Sequence, residues 1–178
     1  FRQHVVRGDA GLEARLMLDQ WAYEPGIPSN AVAPVAEGFA EIPNYVQAFV
    51  DGGPAAAAPW EMWNTMQRQR YLQTLPRTLP AERLQELQRN LALDTIGNME
   101  VRFDWLILAV RNGYTPSEPA IETFLTSQGR GKFIRPIYAA LRAQGEWGRG
   151  VAQRVYARAR PTYHPIVQAG VDRIMNAA

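Results

Sequence analysis

The stretch SQGRGKF, Ser127 to Phe133, places two different cations two residues apart beside glycines. The chain has 18 arginines and a single lysine, and that lysine, Lys132, stands in this stretch close to Arg130. Arginine offers planar, bidentate donors and lysine a compact point charge, so the pair suits an anionic ligand. Both residues precede a run of helical periodicity, and free N–H groups at a helix start also favour anions. The alternative interpretation is that Lys132 is a solvated residue of a first helical turn.

Positive charge is concentrated in the second part of the chain. Residues 101–178 carry 11 basic and 5 acidic side chains, whereas residues 1–100 carry 8 basic and 12 acidic ones. A surface of that sign attracts phosphates, carboxylates or an acidic partner. The arginine-rich stretch 149–160 contains one interleaved aromatic, Tyr156, and the sequence has no nucleic-acid-binding motif, so no nucleic-acid partner is predicted. Four arginines are interpreted as an exposed stripe: Arg149, Arg154, Arg158 and Arg160.

Several kinds of chemistry are excluded by composition. The chain has no cysteine, which rules out disulfides and thiol catalysis. Its two histidines, His4 and His164, lie at opposite ends, whereas an HExxH zinc site needs two histidines one helical turn apart. We therefore predict no catalytic residue and no metal ligand in this chain, and surface or capping roles for the histidines. No apolar run approaches the ~20 residues that cross a bilayer, so no membrane partner is predicted.

Helical spacing of apolar residues recurs throughout, and alternating strand patterns are almost absent. The sequence predicts an all-α fold with seven to nine antiparallel helices in a two-layered superhelix of the armadillo or HEAT type. The first predicted helix is LEARLMLDQW, and the proline-rich segment YEPGIPSNAVAP ends it and connects two structural units. The domain prediction assigns residues 1–24 to the end of a preceding catalytic domain and its connector, and residues 25–178 to the helical domain.

Local signals predict where later helices begin and how they pack. A helical stripe of Trp60, Trp63 and Met66 is expected in the core, and Pro80 is expected at the first position of the next helix. Asn98 is predicted to cap the most buried helix, which stops at Gly113.

Three further arginines have structural predictions. Arg135 is expected to pair with Glu122 or Asp104, with Pro136 in the first turn of its helix. Arg102 is expected to be an ion-pair partner on the buried helix.

Four stretches resemble one family, in order and at approximately the same spacing. WAYEPGIP, Trp21 to Pro28, resembles the segment that joins catalytic and C-terminal domains in leukotriene A4 hydrolase and the related zinc aminopeptidases. NMEVRFDWLILAV, Asn98 to Val110, resembles the central C-terminal helix of that family. SQGRGKFIRPIY, Ser127 to Tyr138, resembles its most characteristic C-terminal stretch, and Tyr163-His164-Pro165 resembles the motif before its last helix. The resemblance covers most of the chain.

The resemblance implies the C-terminal helical domain of an HExxH zinc aminopeptidase, closing one side of the substrate cleft. It implies that Arg130 and Lys132 bind the free carboxylate of a short peptide substrate. Zinc and the catalytic residues would belong to the catalytic domain of the same polypeptide, which is the expected partner. The chain does not begin with methionine, so we expect a piece of a longer protein.

A second interpretation from the residues remains open: a non-enzymatic helical scaffold that binds a protein partner through its concave face. In that case the stripe around Arg154 and Arg158 would carry the contact. The cytoplasm is the expected compartment, and the periplasm is the open alternative.

Overall fold

The structure, a computed structural model, describes residues 1–32 and 37–177. All regular elements in these ranges are helical, which confirms the all-α prediction. Short π-helical or 3-10 turns accompany ten α-helices in the described residues: α1 Ala10–Leu16, α2 Leu18–Tyr23, α3 Ile42–Val50, α4 Thr65–Thr74, α5 Ala81–Asn90, α6 Met99–Arg111, α7 Glu118–Ser127, α8 Gly131–Ala143, α9 Gly145–Ala159 and α10 Pro165–Asn176.

The chain forms two compact units, Phe1–Glu37 and Gly38–Ala178. The first contains α1 and α2, and the second contains the other eight α-helices. The assignment of residues 1–24 to a preceding domain and of residues 25–178 to the helical domain stays a prediction. Residues 33–36, within the predicted connector, lie outside the described residues.

The predicted first helix is divided in two at Met17. This residue has φ 50°, in the left-handed region, and its N–H bonds to the carbonyl of Glu13, which ends α1. Arg2 lies 2.5 Å from Glu13 on α1 and 2.7 Å from Asp19 on α2, so one guanidinium bridges the two short helices. Because of this break, the described residues contain ten α-helices, one more than the upper end of the predicted range of seven to nine.

Alternate helices of the second unit pack side by side, which produces two layers. α4 packs against α6, α6 against α8, and α8 against α10, so these four helices form one layer. In the other layer α7 packs against α9, which also packs against α8. The arrangement is the predicted two-layered helical superhelix, since successive helices alternate between the layers.

α6 is the central buried helix, as predicted. It lies between α4 and α8, and Val101, Trp105 and Val110 are fully buried. Burying such large side chains stabilises the fold by roughly 1.5–3 kcal/mol each. The Trp105 indole N–H donates to Asp94 Oδ1 at 2.7 Å, which satisfies its polar atom in the core.

The predicted helical stripe of Trp60, Trp63 and Met66 is wrong, although both tryptophans are buried as expected. Trp60 lies in a 3-10 turn, and α4 begins only after Asn64, whose side chain and that of Gln67 form a reciprocal capping box. Trp60 and Trp63 are buried, with ring centroids 6.2 Å apart. Met66 is 65% exposed, because the helical register starts after the tryptophans and does not continue from them.

The predicted cap of α6 is confirmed. Asn98 Oδ1 accepts the backbone N–H groups of Glu100 at 3.0 Å and Val101 at 3.3 Å. Gly113 follows the end of the helix with φ 61°, as a stop residue should. Pro80 is not the first helical residue but the N-cap of α5.

α8 contains Pro136 in its interior, so the prediction of a first-turn proline is wrong. Helix α8 begins at Gly131, which makes Pro136 its sixth residue. Proline has no N–H, so the carbonyl of Lys132, four residues earlier, loses its helical hydrogen bond.

α8 and α9 approach each other closely at Gly148. A Cβ at this residue would lie 2.1 Å from the carbonyl oxygen of Leu141, whereas one at Gly150 on the same helix would meet nothing within 4 Å. We expect Gly148→Ala to lower the free energy of unfolding by roughly 1–3 kcal/mol, because the helices must separate. Gly150→Ala should raise it by roughly 0.5–1 kcal/mol through helix propensity. Urea denaturation measures both, and equal changes would contradict the close approach.

Candidate functional site

The two predicted cations stand at the start of α8. Arg130 is the N-cap and Lys132 the second helical residue, and their side chains are 64% and 49% exposed. The Arg130 guanidinium carbon lies 5.2 Å from the ring centroid of Phe133, and Lys132 Nζ lies 4.8 Å from it. Phe133 itself is buried. Its ring therefore holds both cations at the edge of the core through cation–π attraction, while their charges remain accessible to water.

Both cations face one carboxylate oxygen. Lys132 Nζ donates to Glu100 Oε1 at 2.5 Å, and an Arg130 guanidinium nitrogen lies 3.6 Å from the same oxygen. Glu100 is in the first turn of α6, and the packing of α6 against α8 brings it to this position. The three groups, which we call the cation cluster (Glu100, Arg130 and Lys132), carry a net charge of +1.

The first turn of α8 has no side-chain cap in the described structure. N–H groups in a first turn lack intrahelical acceptors, and the helix dipole favours an anion there. The cluster therefore combines a guanidinium, an ammonium and an uncapped helix start. Such an arrangement can bind a carboxylate or another small anion. The assignment of Arg130 and Lys132 to a substrate carboxylate stays a prediction.

Sequence reasoning missed Glu100 as a member of the site. Its type and its place beside the Asn98 cap fit an ordinary acidic first-turn residue. The missing information was which helices are neighbours, since Glu100 and Lys132 are 32 residues apart. The one sequence feature that could have indicated its role is the pair of acidic residues, Glu100 and Asp104, one turn apart on α6.

Asp104 is a buried carboxylate one turn from Glu100. Asp104 is 8% exposed. The side-chain amides of Gln69 and Gln73 on α4 both donate to its Oδ2, at 2.9 and 3.0 Å. Burial raises the pKa of Asp104, and the like charge of Glu100 adds to the rise. The two glutamine hydrogen bonds and the charge of Lys132 oppose the shift without cancelling it.

The prediction that Arg135 pairs with Glu122 or Asp104 is wrong. An Arg135 guanidinium nitrogen donates to the carbonyl of Ile166 at 2.9 Å, in the first turn of α10. The guanidinium lies against Gly170, where a Cβ would approach Arg135 Nε to 2.4 Å. Arg135 is therefore a packing contact between α8 and α10.

Arg102, expected in an ion pair, forms none among the described residues. Its Nε is buried without a hydrogen-bond partner there.

The arginine stripe is largely neutralised within the fold. Arg154 lies 2.5 Å from Glu118 and 2.7 Å from Glu122, and Arg158 lies 3.6 Å from Glu122. Arg160 pairs with Asp172 at 2.8 Å. These acids on α7 and α10 leave little uncompensated charge for a partner, which weakens the case for the scaffold interpretation.

Metal-ligating side chains do not converge in the described ranges. No group of three or more histidine, cysteine, aspartate or glutamate side chains there could hold a metal ion. His164 caps α10, its Nδ1 accepting the N–H of Ile166 at 3.3 Å, and this confirms the capping alternative for that histidine. Nor does any helix of the described chain have the length and apolarity that crossing a membrane requires.

Comparison with known proteins identifies the class. Residues 63–175 match the family described as "Leukotriene A4 hydrolase, C-terminal", and this range includes the cation cluster. The chain therefore belongs to the leukotriene A4 hydrolase C-terminal family.

Two named relatives are similar to parts of this chain. Leukotriene A-4 hydrolase of Xenopus laevis is 32% identical over 94 residues, which are 53% of this chain and 15% of the relative. Aminopeptidase B of Mus musculus is 25% identical over 168 residues, which are 88% of this chain and 26% of the relative. The chain thus corresponds to a small part of each of these longer proteins.

The fold is similar to that of a solved relative. The structure of native yeast LTA4 hydrolase superimposes with a TM-score of 0.68 at 21% identity, covering 90% of this chain and 29% of that chain. At this identity the similarity supports the fold alone.

The environment of Asp104 predicts an unusual pH dependence. Because the folded-state pKa is raised, the folded protein takes up a proton at higher pH than the unfolded chain, so ionised Asp104 lowers stability near neutral pH. Asp104→Asn retains one oxygen for both glutamines and removes the charge. We expect the variant to be at least as stable as the wild type near pH 7. Its advantage should shrink as the pH falls through the raised pKa, as measured by urea denaturation at several pH values.

Asp172→Asn is the matched control with the opposite sign. The Arg160 and Tyr156 hydrogen bonds lower the pKa of Asp172 to about 2, so its ionised form stabilises the fold. This variant should be less stable near neutral pH, and its deficit should disappear only as the pH falls through the lowered pKa. A pH-independent difference for Asp104→Asn would contradict the predicted shift.

Proposed function

We propose that this chain is the C-terminal domain of a zinc metallo-aminopeptidase, where it closes the substrate cleft and binds the free carboxylate of short peptides. The observation that carries the proposal is the placement of Arg130 and Lys132 around one oxygen of Glu100. In this proposal a peptide carboxylate takes the place of that oxygen between the two cations. Membership of the family supports the catalytic domain of the same polypeptide as the partner and zinc as the metal of the parent enzyme.

The geometry supports a binding mode in which the substrate carboxylate replaces Glu100 as the partner of the two cations. Glu100 is itself only partly buried, and exposed ion pairs contribute about 0–1 kcal/mol, so an incoming carboxylate can replace it at little cost. The Arg130 guanidinium, at 3.6 Å, is the more loosely engaged cation and can offer two parallel N–H donors. Lys132 then contributes a point charge whose position Phe133 supports.

The contribution of this chain to catalysis is orientation. Its described residues do not fit a zinc ion, and a metal held by the catalytic domain would supply an activated water for peptide hydrolysis. A fixed carboxylate sets where the substrate ends, and therefore which bond lies at the catalytic centre. Positioning of this kind accelerates reactions by limiting the motion of the bound substrate.

Removing either cation should impair peptides with a free carboxylate. In the parent enzyme we expect Arg130→Gln and Lys132→Met each to reduce kcat/KM for a tripeptide by roughly tenfold, about 1.4 kcal/mol. The same tripeptide with a C-terminal amide should be affected little, and zinc content should not change. Lys132→Met keeps the apolar stem over Phe133. Arg149→Gln, on the exposed face of α9, is the control. Equal losses with the acid and the amide would overturn the proposed carboxylate site.

Glu100 should have the opposite effect. Glu100→Gln removes the resident anion but keeps an oxygen that can accept from Lys132, so the net charge of the cluster rises from +1 to +2. We expect a severalfold lower KM for the tripeptide acid, with no gain for its amide, because the cations no longer share their charge with the protein. Steady-state kinetics with both substrates tests this. A higher KM for the acid would mean that Glu100 positions the cations and does not compete with the substrate.

A further inference from the structure

The helices α4 and α6 run parallel, so their last turns meet at one edge of the layer. Near their starts, the side-chain amide of Asn98 donates to Thr65 Oγ1 at 2.9 Å. Near their ends, the side-chain amide of Asn112 donates to the carbonyl of Arg77 at 3.0 Å. The cation cluster lies at the start of α6, and this second edge lies at its other end, roughly 20 Å along the 13-residue helix.

Two arginines at this edge carry charge that no acid in the described ranges compensates. Arg111 is the last residue of α6, and Arg77 follows the end of α4. Both are exposed, and neither joins any of the ion pairs that the described residues form. The helix dipole places about half a negative charge at the end of α6, which offsets only part of the Arg111 charge. Positive charge therefore remains at this edge for an acidic partner.

Both arginines line a cavity that lies between α4 and α6. Its volume is about 290 Å³, close to the lower end of the roughly 300–1,000 Å³ typical of ligand pockets. Phe103 and Ile107 are only partly buried, so they present apolar surface to the cavity. The apolar lining consists of Leu72, Leu75, Phe103, Ile107, Leu108 and Pro136. A single large apolar side chain is therefore the group that this cavity suits best.

The cavity also contains one carboxylate, Asp104, which lies away from the arginines. Asp104 is seven residues before Arg111 on α6, and this separates their backbone positions by about 10 Å along the helix axis. Its Oδ2 accepts the amides of Gln69 and Gln73, and its charge disfavours a second carboxylate deep in the cavity. An acidic ligand group is therefore confined to the rim, beside Arg77 and Arg111.

We propose that this cavity is the docking site for an extended segment of a partner protein that has an apolar side chain between two acidic residues. The apolar side chain enters the cavity, and the two carboxylates pair with Arg77 and Arg111 at its rim. An apolar anchor in a pocket, surrounded by a polar rim, is the usual anatomy of a protein interaction site.

The spacing of the three partner residues follows from the geometry of an extended chain. Residues two apart point to the same side, so the favoured pattern is acid-x-apolar-x-acid. Its two acids lie roughly 13 Å apart, which suits arginines on neighbouring helices whose axes are roughly 8–10 Å apart.

This docking site goes beyond the proposed carboxylate site. It uses other residues at the other end of α6, and it requires no free terminal carboxylate. It also differs from the scaffold interpretation, in which Arg154 and Arg158 would carry the contact.

Three peptides separate the anchor from the charges. SESLSES has both features, SESQSES lacks the apolar anchor, and SQSLSQS lacks the acids. All three are acetylated and amidated, so they have no terminal carboxylate for the cation cluster. Each is titrated into the 178-residue chain and followed by heteronuclear NMR. We expect saturable binding of SESLSES, at least about fivefold tighter than that of either control, since each control loses one kind of contact.

Variants locate the bound peptide. Arg77→Gln and Arg111→Gln should each weaken SESLSES about threefold and leave SQSLSQS unchanged, because only the acidic peptide pairs with them. Arg149→Gln removes an exposed arginine of α9 and is the matched control, which should bind SESLSES as the wild type does. Native NMR spectra of the variants exclude unfolding as the cause.

Four outcomes would overturn the proposal. They are the absence of saturable SESLSES binding, equal binding of SESLSES and SESQSES, an equal loss in Arg149→Gln, and tighter binding of a short oligonucleotide at the same edge. The last result would assign the arginines to nucleic acid.

Lys132→Met distinguishes this site from the proposed function. The variant disables the carboxylate site on α8 and should leave SESLSES binding unchanged. A loss of binding in this variant would assign the peptide to the cation cluster and overturn the docking site. None of these results would change the comparison of peptide acids and amides that tests Arg130 and Lys132.

Discussion

The packing of α6 between α4 and α8 is the constraint on which the rest of the domain depends. It buries seven residues of α6, including Trp105, and it aligns three helices that are not consecutive in sequence. The polar residues that remain on the shared face must then satisfy one another. Lys132 contacts Glu100, and the glutamines of α4 contact Asp104, because these are the groups that the layer brings together.

Two carboxylates on one helix show how the same chemistry acquires different properties within a single turn. Glu100 lies at the partly exposed start of α6, where water and two cations stabilise its charge. Asp104 lies deeper, where two neutral amides replace water and no cation is committed to it. The charge of Glu100 is therefore compensated by two cations, whereas Asp104 accepts hydrogen bonds from two neutral amides.

Local signals in the sequence predicted local structure well. The Asn98 cap and the stop at Gly113 depend on interactions within a few residues, and the burial of α6 is indicated by its own run of apolar residues; all three are present. Predictions that needed tertiary information were less successful. Arg135 bonds to a backbone carbonyl of α10, and the sequence contains no local sign that Gly170 would leave room for its guanidinium.

The candidate site was predictable in part for the same reason. The cations lie two residues apart and share one turn, so their proximity is a local property. Glu100, which completes the cluster, is 32 residues from Lys132, and its place depends on the pairing of alternate helices. The break at Met17 was also hidden, because no glycine marks the left-handed residue and the arginine that bridges the two short helices, Arg2, is distant in sequence.

Pro136 has a mechanical consequence for the cations that precede it. Because it leaves the Lys132 carbonyl without a helical partner, the first turn of α8 is joined to the remaining helix by one fewer backbone hydrogen bond. The turn is held mainly by side chains: Phe133 in the core and Arg135 against α10. A small tilt of this turn therefore need not be transmitted along the helix. The orientation of the two positive charges therefore depends on how Phe133 and Arg135 pack, as well as on the remaining helix.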